Sequence, residues 1–183
     1  MHISVWVGLF LIAFFGAGHA AERMPLGASA LTHGQAAQIQ GCGVRVTAGR
    51  AAQKSKSLWM DLSFNVYASG VALVQAIAYE MPPSTYEGEA KPRRLSVQRA
   101  WVKPRDESGT TRLGENTEAR DTLIYALTLE DAIRLFGAVA AAEPLAIGMR
   151  PWGEPREWLF EGIAELPDGA RAEIATCLAA LVN

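Results

Sequence analysis

The segment LWMDLSFNVYA, residues 58–68, constrains the fold more than any other part of the chain. In an extended chain it places one set of apolar side chains on a single face: Leu58, Met60, Leu62, Phe64 and Val66. This period of two is typical of a β-strand with one buried face. A Ser-Gly pair follows at 69–70, and VALVQAIAYE then returns with the same period. Two such runs around a short turn predict a β-hairpin, and therefore an antiparallel sheet.

Further runs have the composition of strands: CGVRVTA, RRLSVQRAWV, TLIYALT, PLAIGMRP and REWLFEGI. The period changes in TLEDAIRLFGAVAAAE, where Thr128 occupies the N-cap position of a helix and acids fill the first turn. Pro167 and Asp168 open a second helical segment. We predict an α+β fold, with a mainly antiparallel sheet or β-sandwich of six to seven strands and two helices at about 129–142 and 168–181.

The N-terminal residues 1–20 have the pattern of a cleaved signal peptide. Residues 3–15 are nearly all apolar, a run too short to span about 30 Å of hydrocarbon. Gly18 and Ala20 supply small residues before the polar Glu22, as a cleavage site requires. We expect cleavage after Ala20 and a periplasmic or secreted protein. An uncleaved anchor is the alternative, because no Lys or Arg precedes the apolar run.

The rest of the chain shows one domain. Residues 21–40 have no steady period and are rich in Ala, Gly and Gln, which predicts a loosely ordered N-terminal arm. The sequence contains no internal repeat and no second domain boundary, so residues 41–183 are expected to form a single α+β domain.

Cys42 and Cys177, the only cysteines, lie 135 positions apart. In an oxidising compartment two cysteines normally pair, and two distant thiols cannot build a metal site without histidines. Cys177 also shares the apolar face of the second predicted helix, so it points toward the sheet that Cys42 begins. We predict a Cys42–Cys177 disulfide. Two free buried thiols, or pairing with another chain, are the alternatives.

Charge is unevenly distributed along the chain. Residues 89–112 hold seven Lys or Arg against three acids, whereas residues 113–183 hold five against twelve. A basic hairpin facing an acidic half is suited to binding a partner, although such charges also pair with one another on solvated surfaces. The candidate partner contacts are four cations and one tryptophan in a Gly/Pro turn: Arg93, Arg94, Arg99, Lys103 and Trp152.

The sequence predicts no catalytic, cofactor-binding or metal-ligating residue. It contains no GxSxG, CxxC or HExxH motif, and His33 has no neighbouring nucleophile. Glu157 and Glu161 share one strand face but would lie about 13 Å apart, too far for a retaining pair of carboxylates at about 5 Å. A net charge of −2 argues against nucleic-acid binding.

The segment LEDAIRLFGAVAAAEPLAIGMRPWGEPREWLFEGIAEL, together with ATCLAAL, resembles the C-terminal half of invasion-associated locus B–like secreted proteins. The resemblance covers residues 128–182 approximately and rests on the helix–strand–turn–strand–helix pattern and Gly162. The cysteines differ, because that family usually carries more of them. The resemblance implies an exported, non-enzymatic β-sandwich and assigns no functional residue.

Three functions are consistent with these observations. The first is a periplasmic or secreted non-enzymatic binding module for a protein or an envelope component. The second is an accessory subunit of a cell-envelope assembly, and the third is a small carboxylate-dependent hydrolase. A deep pocket with a pair of acids would favour the hydrolase, and a flat surface on the basic hairpin would favour binding. After cleavage no membrane span is expected.

Overall fold

A computed structural model describes residues 26–35, 38–51, 57–81, 92–104 and 111–182. Its ten strands are β1 Leu26–Gln35, β2 Gln38–Ala51, β3 Ser57–Tyr67, β4 Ala72–Met81, β5 Arg93–Leu95, β6 Val97–Pro104, β7 Thr111–Glu115, β8 Leu123–Leu127, β9 Pro144–Pro151 and β10 Trp158–Glu165. The two helices are α1 Leu129–Ala140 and α2 Ala170–Val182.

The strands form one sheet in the order β5-β4-β3-β2-β1-β10-β9-β6-β7, and β8 also pairs with β4. All neighbours are antiparallel except β1 and β10, which run parallel and pair only at Leu26↔Ala164 and Gly27↔Glu165. The predicted hairpin of β3 and β4 is confirmed by continuous pairing from Ser57↔Met81 to Val66↔Ala72.

The sheet curls into a half-barrel, and Ser96 links β5, at one end of the strand order, to β6, which is next to the strand at the other end. β5 pairs with β4 near one end of the strand order, and β6, which starts just after Ser96, pairs with β9 near the other end. The curl gives the sheet an inner and an outer face. Side chains alternate between these faces along each strand.

The inner face carries the hydrophobic core. The five β3 side chains predicted to share a face, Leu58 to Val66 in steps of two, are all buried there. They join one cluster with the even-numbered residues of β2 and β4 and with both helices. The predicted buried face of β3 is therefore confirmed.

Helix α1 packs on this core through Ala132, Leu135, Phe136 and other apolar residues. Thr128 is the N-cap, as predicted, and its Oγ1 accepts a hydrogen bond from the Asp131 N–H at 3.1 Å. The helix ends at Ala140, slightly before the predicted 142, because Ala142 adopts a left-handed φ of 54°. There the Glu143 N–H donates to the Ala138 carbonyl, which closes the helix end.

Helix α2 lies over β1 and β2 and is bonded to the sheet. Cys177 forms a disulfide with Cys42 of β2, with Cα atoms 5.8 Å apart. Ile174, one turn earlier on the same face, packs into the core. The predicted disulfide is thus present, and α2 begins two residues later than predicted, at Ala170.

Two predictions about the sheet need correction. The α+β class holds, but the sheet has ten strands in a single curled layer, not six to seven strands or two packed sheets. Within the predicted loose arm 21–40, Leu26–Gln35 form β1, which is held by backbone pairing with β2 where no apolar period marks a strand. The predicted signal peptide, residues 1–20, lies outside the described residues.

Candidate functional site

The outer face of β3 carries a row of polar side chains that are nearly inaccessible. Asp61, Ser63 and Asn65 alternate with the core residues, yet only 8%, 8% and 5% of their surfaces are exposed. Buried polar groups are costly unless they are hydrogen-bonded. Their neighbours on β1 and β2 supply those bonds, and the result is an ordered polar layer whose more accessible members are His33 and Tyr67.

His33 of β1 anchors one end of the row. Its Nε2 lies 2.7 Å from Asn65 Oδ1, and Asn65 Nδ2 donates to Ser63 Oγ at 3.2 Å. An amide oxygen only accepts, so His33 Nε2 is the donor in this contact, and Nδ1 is left as the second polar atom of the ring. The ring also stacks on Tyr67, with centroids 5.4 Å apart and planes inclined by 29°. His33 is thereby fixed in orientation on the outer face.

Arg45 of β2 closes the other end of the row. Its Nε donates to Asp61 Oδ1 at 2.9 Å, and its Nη2 donates to Asp61 Oδ2, so the pair is bidentate. Hydrogen bonding to Asp61 raises the pKa of Arg45 further above its ordinary value. Both carboxylate oxygens of Asp61 are occupied by this contact, which makes the residue an anchor and not a free acid.

Gly41 and Gly43 of β2 form the floor beneath this surface. A Cβ on Gly43 would overlap the Asn65 side chain, and one on Gly41 would lie 2.7 Å from Tyr67 Cδ1. The side chains of Asn65 and Tyr67 therefore lie across the neighbouring strand, where only glycine leaves room. Cys42, between the two glycines, points inward to the disulfide.

A depression of about 520 Å³ adjoins Tyr67 at the turn between β3 and β4. Ile39, Tyr67, Val71 and Leu73 form most of its wall, and Gln40 and Ser69 contribute polar groups. Its volume lies within the range of about 300–1,000 Å³ found for ligand sites. The described residues that line it include no carboxylate, so it offers packing and hydrogen bonds and no acid–base pair.

We call this region the His33 surface, defined by His33, Ser63, Asn65, Tyr67 and the adjoining depression. It combines fixed hydrogen-bonding groups with an apolar hollow, which is the composition of a binding site. In the described part of the chain, no three His, Cys, Asp or Glu side chains come together where they could hold a metal ion.

The structure disperses the predicted partner contacts over two regions. Arg93 makes an ion pair with Glu80 at 2.6 Å, and the Arg94 guanidinium lies 6.0 Å from the Tyr79 ring centroid, both at the β4–β5 edge. Arg99 and Lys103 lie on the outer face of β6, where Arg99 makes an ion pair with Glu157 at 2.8 Å.

Trp152 follows β9, and its backbone N–H donates to the backbone carbonyl of Ser96 at the β5–β6 junction. Trp152 is 42% exposed. None of the five predicted contacts belongs to the His33 surface. The sequence does carry a signal for that surface, since two glycines on β2 lie opposite the polar side of β3, in the register Gly41↔Tyr67 and Gly43↔Asn65.

Comparison with known proteins adds no assignment to this geometry. No family model matches the chain, and no curated protein or solved structure matches it significantly. The resemblance to invasion-associated locus B–like proteins therefore stays a prediction. Among the helices that the structure describes, none has the length and apolar character needed to cross a membrane.

Proposed function

We propose that this protein is a non-enzymatic binding module of the periplasm or the extracellular space, and that it recognises a protein or an envelope component through the His33 surface. The observation that carries the proposal is the junction of a rigid polar row with an apolar depression at Tyr67. Because the polar groups are already fixed by one another, little side-chain entropy is lost when a partner binds.

The hydrolase alternative receives less support from the same region. The buried acid of this face, Asp61, is held by Arg45 through both oxygens, and the depression has no carboxylate in its described lining. A hydrolase of this kind needs one carboxyl group to accept or donate a proton beside the substrate. The His33 surface supplies hydrogen-bonding atoms and apolar contact, which is what a binding module needs.

A pull-down from envelope extract tests the proposal with two matched variants. Val71, 45% exposed, lies in the wall of the depression, and Ile133, 58% exposed, lies on α1 away from it. Val71→Asp places a charge in the hollow and should abolish capture of the partner, whereas Ile133→Asp should leave capture unchanged. Circular dichroism of both variants checks that the fold is intact.

The stoichiometry and the exchange of the captured partner distinguish a binding module from an accessory subunit. A partner recovered at a fixed stoichiometry throughout purification would indicate an accessory subunit of an assembly, and a partner that exchanges would indicate a transient binding module. Equal capture by wild type and Val71→Asp would remove the His33 surface from the proposal.

A further inference from the structure

The outer face of β6, β9 and β10 has a regular arrangement of side chains that the proposed function does not use. Backbone pairing aligns these three strands, with β9 in the middle. We call three residues that are paired side by side across β6, β9 and β10 a level. The first level consists of Trp101, Gly148 and Leu159, and the second of Lys103, Ala146 and Glu161. β6 and β10 therefore flank a central strand of small residues at a separation of about 10 Å.

The first level is apolar. The Trp101 indole lies over Gly148, where a Cβ would overlap the ring, and its Nε1 donates to Glu157 Oε2 at 3.0 Å. Leu159, on the opposite side of Gly148, is 40% exposed. The half-buried Trp101 and the exposed Leu159 thus present apolar surface on either side of Gly148, and clustered apolar surface of this kind is typical of a protein–protein contact.

The second level carries opposite charges on opposite sides. Lys103 lies on β6 and Glu161 on β10, with Ala146 between them. Neither makes an ion pair with another residue that the structure describes. The same polarity recurs toward the start of β6, where Arg99 pairs with Glu157 from the β10 side.

We propose that this face binds a second copy of the same chain, with a two-fold axis running parallel to β9. A rotation about such an axis places each level of one copy opposite the same level of the other. It also places β6 of one copy opposite β10 of the other. Lys103 then meets Glu161 of the second copy, and Trp101 packs against Leu159 of the second copy. Gly148 and Ala146 lie on the axis, where their small size permits close approach of the two sheets.

The arrangement is specific to this axis. Every contact away from the axis occurs twice in such a dimer, because an isologous interface is self-complementary. A two-fold axis perpendicular to the strands would reverse the order of the levels and would lose the register of basic with acidic residues. Arg150 and its symmetry mate come close at one end of the axis, so Arg150→Gln should strengthen association.

Charge reversal in the whole chain tests the proposal by analytical ultracentrifugation at low ionic strength. We expect the wild type to dimerise. Lys103→Glu and Glu161→Lys alone should each weaken the dimer by at least about tenfold, because each places like charges together twice. An equimolar mixture of the two variants should restore the dimer, since both contacts in the heterodimer are again opposite in charge.

Matched controls lie on α2, where Arg171→Glu and Glu173→Lys reverse exposed charges away from the face and should leave association unchanged. A wild-type protein that stays monomeric at the highest concentration measured would overturn the proposal. A mixture that fails to restore the dimer would overturn the Lys103–Glu161 contact. Both outcomes are independent of capture by the His33 surface.

Discussion

At the scale of single residues, the triplet Gly41-Cys42-Gly43 shows how one short stretch serves both faces of the sheet. Cys42 points inward and bonds to α2, whereas the glycines on either side leave room on the outer face. Tyr67 and Asn65 lie in that room, and they orient His33 by stacking and by hydrogen bonding. The His33 surface therefore requires glycine at positions 41 and 43 as well as the side chains of Asn65 and Tyr67.

Replacing Gly43 by Ala tests this dependence. The new Cβ would overlap Asn65 and would lie 2.8 Å from the Phe64 carbonyl oxygen, so a backbone strand must shift. We expect a loss of about 1–3 kcal/mol in the free energy of unfolding, measured by urea denaturation. Gly137→Ala is the control, because nothing lies within 4 Å of that helical position and Ala should stabilise the helix by up to about 1 kcal/mol. Equal behaviour of the two variants would contradict the packing argument.

At the scale of secondary-structure elements, some features could be predicted from the sequence and others could not. The β3–β4 hairpin and both helices follow local periods, and the structure confirms them. The division of RRLSVQRAWV into β5 and β6 could not be predicted from local periods, because it depends on pairing with β4 on one side and β9 on the other. Strand β7, with the sequence TRLGE, was not predicted either, because its residues are mostly polar and Gly114, with a φ of 110°, interrupts the alternation.

The candidate site was missed for the same reason. The charge clusters predict a partner surface around the basic hairpin, but Arg93 and Arg99 are paired with Glu80 and Glu157. The His33 surface instead brings residues from β1 and β3 together across β2, and this juxtaposition exists only once the strand order is known.

The N-terminus of α1 supports a prediction about pH. Hydrogen bonds from Thr128 and then Arg134 lower the pKa of Asp131. The folded state therefore releases this proton more readily than the unfolded chain, and the carboxylate stabilises the fold above the ordinary Asp pKa of about 3.9. That stabilisation is lost as the pH falls through the lower pKa of the folded state.

Asp131→Asn should accordingly reduce stability at neutral pH, and its unfolding free energy should converge with that of the wild type as the pH falls below about 4. Thermal unfolding followed by circular dichroism across this range measures the difference. Glu130→Gln is the matched control, because it removes a neighbouring acid of the first turn and leaves the hydrogen bonds of Asp131 with Thr128 and Arg134 in place. A constant difference between wild type and Asp131→Asn at all pH values would contradict the argument.

At the scale of the whole molecule, the disulfide joins the two ends of the described chain. Cys42 lies in the second strand and Cys177 in the last helix, so the bond closes a loop over a separation of 135 residues. The outward side of α2 is largely exposed, and three of its residues are buried, Ala170, Ile174 and Cys177, against five in α1. The position of α2 over β1 and β2 therefore depends strongly on the disulfide. No single contact is equally important for the position of α1.

Replacing both cysteines by Ala should lower the free energy of unfolding by about 2–5 kcal/mol, mainly because the unfolded chain gains conformational freedom. The loss should be accompanied by faster amide hydrogen exchange in α2 than in α1, since α2 loses its covalent link to β2. Reduction of the wild type should reproduce both effects, whereas the double variant should not respond to the reductant. The polar row from Asp61 to Asn65 lies on the other face of the sheet, so capture of a partner by the folded double variant should be unchanged. Unaltered exchange in α2 after the bond is removed would show that apolar packing alone holds the helix in place.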